Sequence, residues 1–302
     1  MSSSDYHIPV LLNASLEALN INPDGVYVDV TFGGGGHSRA ILTQLEQGRL
    51  YGFDQDPDAQ ANLPNDARFT LIGQNFRYMQ NFLRMHGVQK VDGILADLGV
   101  SSHQFDEPAR GFSIRHDAPL DMRMGPSLPK SAADLIAELD ESELADIFKR
   151  YGEVQGAHRL ARLLIQERAN RKIASTGDLV ALASRMAHPA KQQKYVAQVF
   201  QALRIAVNDE LAALEALLSQ SVDVLKPGGR LAVISYHSLE DRMVKYFMRA
   251  GNFNGEVEKD FFGNPIGPFT LISRSAIVPD ENEIATNSRA RSARLRVAER
   301  KH

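Results

Sequence analysis

The sequence predicts an α/β fold in which a doubly wound parallel sheet is interrupted by an inserted all-helical domain. Between residues 26 and 97, four short runs rich in β-branched and aromatic residues alternate with helical patterns, an order typical of a parallel sheet with helices on both faces. Between residues 105 and 195 only helical patterns occur. A strand pattern returns at residues 230–235, so the helical region interrupts the sheet.

The strands of the first part are predicted from their apolar runs and from the residues that follow them. They cover residues 26–31, 50–54, 69–72 and 93–97. The first runs into a glycine loop, the second ends on Asp54, and the fourth ends on Asp97. Short connections through helices imply right-handed crossovers and parallel pairing. Residues 270–278 and 293–298 are expected to close the sheet as an antiparallel pair.

The inserted region is predicted from helical periodicity. Its helices are expected at residues 132–139, 141–151, 158–170 and 178–186. Ser142 and Thr176 are predicted helix starts, because hydroxyl side chains often cap helix N-termini. One long helix through Val199 and Val222 then leads back to the sheet. The predicted boundaries are 1–104 for the first part of the α/β domain, 105–195 for the insertion and 196–302 for the second part with a basic C-terminal tail.

Composition excludes several classes of protein and site. No apolar run approaches the roughly 18 residues of a membrane helix, and the polar residues 1–7 lack the apolar core of a secretory signal. A cytoplasmic protein without a membrane partner is therefore expected. The chain has no cysteine, which excludes disulfides, thiolate metal sites and cysteine nucleophiles. The scattered histidines lack metal-ligand spacing, so no metal is expected.

Positive charge is concentrated in two regions of a chain whose net charge is −3. Residues 149–194 contain ten lysines and arginines against three acidic residues, and residues 287–302 contain six against one. Either run alone is usual for a solvated helix face or a chain terminus. Two such regions flanking a ligand site favour an anionic polymer as the substrate.

The glycine loop lies where a doubly wound sheet binds its ligand, beyond the carboxyl end of the first strand. Gly33, Gly35 and Gly36 allow close approach of a ligand, and Asp54 can accept hydrogen bonds from the ribose hydroxyls of an adenosine. A pyrophosphate prefers a G-x-G-x-x-G loop at an open helix N-terminus, whereas here consecutive glycines run directly into His37. The pattern favours S-adenosyl-L-methionine over a dinucleotide.

Four further residues are candidates for chemistry at the same edge. Asp97 follows the fourth strand and is the predicted catalytic carboxylate, although a turn with a helix cap explains it equally well. Phe76 can cover an adenine face or be an ordinary core residue. Tyr236 and His237 follow the strand at residues 230–235 and are candidate substrate contacts. The next residues, Ser238 and Asp241, are expected to form a capping box.

Eight segments together resemble the RsmH family, also called MraW, of S-adenosylmethionine-dependent methyltransferases of small-subunit ribosomal RNA. They are HIPVLL (7–12), VDVTFGGGGHS (28–38), DGILADLGVSS (92–102), RGFS (110–113), PLDMRM (119–124), FQALRI (200–205), SYHSLEDR (235–242) and RARSARLR (289–296). The resemblance implies a Rossmann-like class I methyltransferase sheet, with the insertion recognising the substrate. It also implies N4-methylation of cytosine 1402 in 16S rRNA of the small ribosomal subunit.

The resemblance also assigns residues to the methyl donor. It implies that Gly35, Gly36 and His37 lie at the donor and that Asp54 holds its ribose. It further implies that Phe76 borders the adenine, and that Asp97 and Gln104 complete the pocket.

The absence of cysteine agrees with methylation of an amine, because methylation of a pyrimidine carbon commonly needs a cysteine nucleophile. An exocyclic amine can attack the methyl group directly if it is aligned and its hydrogens are accepted. Asp97 or the backbone carbonyls of residues 98–100 are the candidate acceptors, and Tyr236 is a candidate stacking aromatic.

Other functions remain open from the sequence. The chain could methylate another RNA base, or it could be a donor-binding ribosome assembly factor. The oligomeric state is also open, with a homodimer among the alternatives.

Overall fold

The computed structural model describes residues 9–263 and 265–302. They form two compact units. The first consists of the described residues up to Gly99 together with Ala212–His302, and the second is Val100–Leu211. The first two residues of the segment HIPVLL, His7 and Ile8, lie outside the described residues.

A seven-stranded sheet forms the centre of the first unit. Its strands are β1 (Val26–Asp29), β2 (Arg49–Phe53), β3 (Phe69–Ile72), β4 (Val91–Asp97), β5 (Leu225–Ser235), β6 (Phe269–Leu271) and β7 (Arg294–Arg300). Their order is β3-β2-β1-β4-β5-β7-β6. Strands β1 to β5 pair in parallel, whereas β7 pairs antiparallel with both β5 and β6. The predicted doubly wound sheet and its closing antiparallel pair are confirmed, although β6 ends at Leu271 and Ile277 contributes only an isolated bridge to Leu295.

The described residues form α-helices in both units. They are α1 (Leu12–Leu19), α2 (Gly36–Gln44), α3 (Met79–Met85), α4 (Ser102–Asp106), α5 (Ala132–Glu138), α6 (Glu141–Gly152), α7 (Ala157–Arg168), α8 (Thr176–Ser184), α9 (Gln192–Asn208), α10 (Glu210–Val224), α11 (Ser238–Ala250) and α12 (Glu281–Thr286). Within the described residues, none of them is both long and apolar enough to cross a membrane.

Both faces of the sheet are buried, as the strand sequences require. Neighbouring residues of β4 point to opposite faces, so Ile94 packs into one core and Leu95 into the other. The Ile94 core includes Leu217 of α10 and Val244 of α11. The Leu95 core includes Ile41 of α2. Burial on both faces explains why the strands are nearly continuous apolar runs.

The second unit is built from helices around its own core, which includes Leu144, Phe148, Leu160 and Leu203. All of its residues are described, and it contains no strand, only an isolated bridge between Pro119 and Ser175. Helices α5 to α8 confirm the predicted helical stretches within a few residues.

Helix α8 begins at Thr176 as predicted, and α6 begins one residue before Ser142, but the expectation that these two hydroxyls cap the helices is wrong. Asp140, not Ser142, caps α6, because its side chain accepts a hydrogen bond from the Glu143 amide at 2.8 Å. Ser175, not Thr176, caps α8 through the amide of Asp178. In both cases an acidic side chain three residues after the cap bonds back to the cap amide, which is the reciprocal pattern of a capping box.

The predicted single long helix is also wrong, because the chain breaks between α9 and α10. Asp209 adopts a left-handed conformation with φ of 49°, which ends α9. Helix α9 packs into the core of the second unit, and α10 packs into a core of the first unit. Val199 and Leu203 of α9 pack with Phe148 in the second unit, so that unit runs from Val100 to Leu211 and encloses the predicted insertion, 105–195.

Candidate active site

Parallel pairing brings the candidate residues of the first unit to one edge of the sheet. Strands β1, β2, β4 and β5 run in the same direction, so the residues that follow them meet at their carboxyl ends. The glycine loop follows β1, Asp54 follows β2, Asp97 ends β4 and Tyr236 follows β5. Direct contacts join the glycine loop to Asp54 and Asp97 to Tyr236.

Asp54 holds the glycine loop in place. Its Oδ2 accepts a hydrogen bond from the Gly33 amide at 2.8 Å, and its Oδ1 accepts one from the Asp56 amide at 2.8 Å. Gly33 and Gly35 have φ of +49° and +72°, which explains why the loop needs glycine there. Burial raises the pKa of Asp54 to about 6 although the two amides oppose this shift. Each carboxylate oxygen keeps a second lone pair for a ligand hydroxyl.

Asp97 is the centre of a second polar cluster. Its Oδ1 accepts a hydrogen bond from the Tyr236 hydroxyl at 2.7 Å, and its Oδ2 lies 3.9 Å from Nδ1 of His37. Its amide donates to the Thr31 hydroxyl at 2.6 Å. Burial raises the pKa of Asp97 to about 6, although His37 and the Tyr236 hydroxyl both favour the charged form. The carboxylate is therefore mainly ionised at neutral pH, with Oδ2 available as a hydrogen-bond acceptor.

Tyr236 is held by hydrogen bonds from its side chain and from its backbone amide. Its hydroxyl donates to Asp97, and its amide donates to Oε2 of Glu240 at 3.0 Å. Burial, followed by the negative charge of Asp97, raises the pKa of the Tyr236 hydroxyl above its ordinary value. The hydroxyl thus stays protonated and remains a donor to the carboxylate.

His237 is the N-cap of α11, and the predicted capping box of Ser238 and Asp241 is wrong. Nδ1 of His237 accepts from the Glu240 amide at 3.4 Å, while its Nε2 lies 3.2 Å from Glu240 Oε1. Asp241 instead pairs with Arg296, whose Nε lies 2.7 Å from Oδ1. The catalytic role of His237 stays a prediction. Sequence reasoning missed Glu240, although a glutamate three residues after a cap is a known signal, because histidine is not among the usual caps.

The MraW methylase family matches residues 4–301. The chain belongs to this family. It is an S-adenosyl-L-methionine-dependent methyltransferase.

Two relatives with high identity carry the same name. The ribosomal RNA small subunit methyltransferase H of Cytophaga hutchinsonii is 58% identical over 297 residues, which cover 98% of this chain and 99% of the relative. The protein of the same name from Parabacteroides distasonis is 54% identical over 299 residues, 98% of each chain. A solved rRNA methylase from Streptococcus thermophilus is 15% identical with a TM-score of 0.40, covering 98% of this chain and 99% of that one; so distant a likeness carries no argument.

The edge of the methylase sheet fits the donor. A Cβ atom added at Gly34 or Gly73 would meet nothing within 4 Å, so the backbone after β1 and after β3 faces open space on both sides of Asp54. Gly36 is different, because its added Cβ would lie 2.3 Å from Pro9. An acceptor carboxylate between two open glycine backbones suits the ribose of S-adenosyl-L-methionine.

The remaining predicted donor residues have other contacts in the structure. Phe76 begins a short 3-10 helix (Phe76–Tyr78), and its partly buried ring packs against the core of the first unit. Gln104 belongs to α4 of the second unit, where its Oε1 accepts from the Ser101 amide at 3.1 Å. His37 is buried, with Nε2 at 3.1 Å from the Val10 carbonyl. Their contacts with the donor stay predictions.

The basic tail is largely part of the fold. Arg294, Arg296 and Arg300 lie in β7, where Arg296 pairs with Asp241 and Arg300 donates to the Val222 carbonyl at 2.9 Å. Arg294 lies beside the same carboxylate, but its side chain is 56% exposed. The tail therefore divides into cations that hold the sheet together and cations that face solvent.

Proposed function

We propose that this methylase transfers a methyl group to the exocyclic N4 amine of cytosine 1402 in 16S rRNA of the small ribosomal subunit. The observation that carries the proposal is the partly buried Asp97 carboxylate at the end of β4, with one oxygen bonded by Tyr236. The names of the relatives, which refer to small-subunit ribosomal RNA, support the substrate.

The chemistry of a cytosine amine suits this carboxylate. Its nitrogen lone pair is delocalised into the ring, so the amine needs alignment and an acceptor for its hydrogens. Asp97 Oδ2 provides that acceptor because Oδ1 is already held by the Tyr236 hydroxyl. When bound, S-adenosyl-L-methionine would supply the methyl group, whose bond to sulfur would break as its bond to N4 forms. As N4 forms its new bond, the proton that it loses passes to Asp97 Oδ2 and from there to solvent.

Tyr236 acts in this proposal as a positioning residue. Its hydrogen bond at 2.7 Å fixes the rotation of the Asp97 carboxylate and lowers its pKa relative to burial alone. Glu240 fixes the Tyr236 backbone in turn. The catalytic oxygen is thus oriented by contacts within one unit.

The substrate side of the proposal assigns recognition of the rRNA to the helical region, 105–195. Several of its arginines are held by carboxylates, as in the pair of Arg185 and Glu167 at 2.8 Å, so only part of its positive charge is available to RNA. A cytoplasmic location and a homodimer stay predictions. Light scattering of the purified protein shows whether it forms a homodimer.

The decisive experiment compares Asp97→Asn with the unchanged chain. Both are incubated with radiolabelled S-adenosyl-L-methionine and small ribosomal subunits that lack the modification, and the labelled atom is mapped. We expect Asp97→Asn to keep its donor affinity, measured by calorimetry, and to lose methyl transfer. Asp223→Asn, an exposed carboxylate near the opposite edge, is the matched control.

Each outcome has a defined meaning. Unchanged turnover in Asp97→Asn removes Asp97 from the mechanism. Label on another base or atom means that the methylated position differs from the N4 amine of cytosine 1402. Donor binding by the unchanged chain without any transfer favours the assembly-factor function.

A further inference from the structure

A cavity of about 610 Å³ in the first unit is lined by residues other than the predicted donor residues. It is lined by α11 on one side and by residues 291–294 on the other, and we call it the α11 groove. Tyr236 forms part of its wall, so the groove adjoins the residue that holds Asp97. Its volume is within the range of about 300–1,000 Å³ that is usual for ligand sites.

The walls of the groove are strongly basic. Arg242 and Lys245 lie on one face of α11, together with Tyr246. Arg291 and Arg294 face them from the other wall, which gives four cations against the single carboxylate of Asp241. That carboxylate is already paired with the partly buried Arg296. Arg242, Lys245 and Arg291 are exposed. Among the described residues, they make no salt bridge.

The direction of β7 explains why these cations lie at the catalytic edge. Because β7 is antiparallel to β5, its first residue Arg294 pairs with Ser235, the last residue of β5. Tyr236 follows Ser235 directly. A basic segment that enters the sheet from this end therefore reaches the edge at which Asp97 lies.

We propose that the α11 groove binds the sugar–phosphate backbone of single-stranded RNA next to the target base. The identification of RNA as the molecule that occupies the groove rests on the proposed function. The N4 amine of cytosine takes part in base pairing, so a base that is methylated there has to be unpaired, and its flanking backbone has to be held. Four converging cations suit phosphates, and the ring of Tyr246 can stack on a neighbouring base.

The test compares a variant that lacks two groove cations with a control variant that lacks two cations elsewhere. The groove variant is Arg242→Gln with Lys245→Gln. The control is Arg49→Gln with Arg84→Gln, two exposed cations near the amino ends of the strands, at the start of β2 and in the last turn of α3. Binding of a labelled single-stranded ribo-oligonucleotide is measured by fluorescence anisotropy from about 50 to about 200 mM salt, a range over which affinity that comes from phosphate contacts falls steeply.

The expected result is a smaller salt dependence in the groove variant alone. Each phosphate contact to a single strand contributes about 0.7 to the slope of log affinity against log salt, so two lost contacts lower the slope by about 1.4. Over this fourfold change of salt, the unchanged chain then loses about sevenfold more affinity than the groove variant. The KM for small subunits should rise in the groove variant and not in the control.

Other results overturn the proposal. Equal slopes in the groove variant and the unchanged chain mean that the groove does not bind RNA. A raised KM for subunits with unchanged oligonucleotide binding means that the groove contacts a ribosomal protein instead. If the unchanged chain binds RNA with a groove-dependent slope but never methylates subunits, the proposed function fails and the groove assignment stands.

Discussion

Replacing Tyr236 by phenylalanine should shift the pH dependence of methyl transfer upward. The substitution removes the 2.7 Å hydrogen bond to Asp97 Oδ1 and keeps the ring. That bond favours the charged carboxylate, so its loss raises the pKa of Asp97 above about 6. If Asp97 has to be ionised, the acid limb of the rate profile moves to higher pH with it.

The size of the shift follows from the strength of the bond. A hydrogen bond to a charged group contributes about 1.5–3 kcal/mol, which corresponds to about one to two pH units. The Asp97 side chain is 22% exposed, so water can replace part of the lost bond, and we expect about one unit. At pH 6, the ionised fraction then falls from about one half to about one tenth, a loss of about fivefold in rate.

The assay is the initial rate of methyl transfer to small subunits between pH 5 and pH 9 at saturating donor. Saturation matters because the pKa of Asp54 is also raised to about 6, and its protonation would weaken ribose binding over the same range. Tyr27→Phe is the control, since it also removes a tyrosine hydroxyl. Among the described hydrogen bonds, that hydroxyl accepts only from the Asn22 amide and does not contact Asp97. An acid limb that stays in place or moves to lower pH in Tyr236→Phe would refute the reasoning.

Two further predictions concern stability and the glycine loop. Asp97→Asn should stabilise the protein at pH 7.5, because a folded-state pKa of about 6 against an ordinary 3.8 corresponds to a cost of up to about 3 kcal/mol above pH 6. This cost disappears as the pH falls towards 4, so thermal unfolding at pH 7.5 and 4.5 checks it, and a lower melting temperature of the variant at pH 7.5 would contradict it. Gly34→Ala should fold normally and bind the donor more weakly, because its Cβ enters open space, whereas Gly36→Ala should lower the melting temperature by forcing Pro9 to move. Unchanged donor affinity in Gly34→Ala, measured by calorimetry, would show that the donor does not occupy that space.

The sequence by itself determined the elements and their order. Apolar runs and helical periodicity are local properties, and they located β1 to β4 and α5 to α8 within a few residues. Parallel connectivity then required Asp54 and Asp97 to lie at one edge of the sheet, which the structure confirms. Family resemblance added the methyl donor, because eight ordered segments are far more specific than one glycine loop.

Only the tertiary structure decided which side chains pair across the chain. The bond from Tyr236 to Asp97 joins residues 139 positions apart, and the pairing of Asp241 with Arg296 joins residues 55 positions apart. No local pattern encodes such distances. The break at Asp209 was hidden for the same reason, since α9 and α10 have similar helical periodicity and differ only in the core that each one packs against. Local periodicity thus specifies elements, whereas strand register and the competition between two cores determine which polar groups meet.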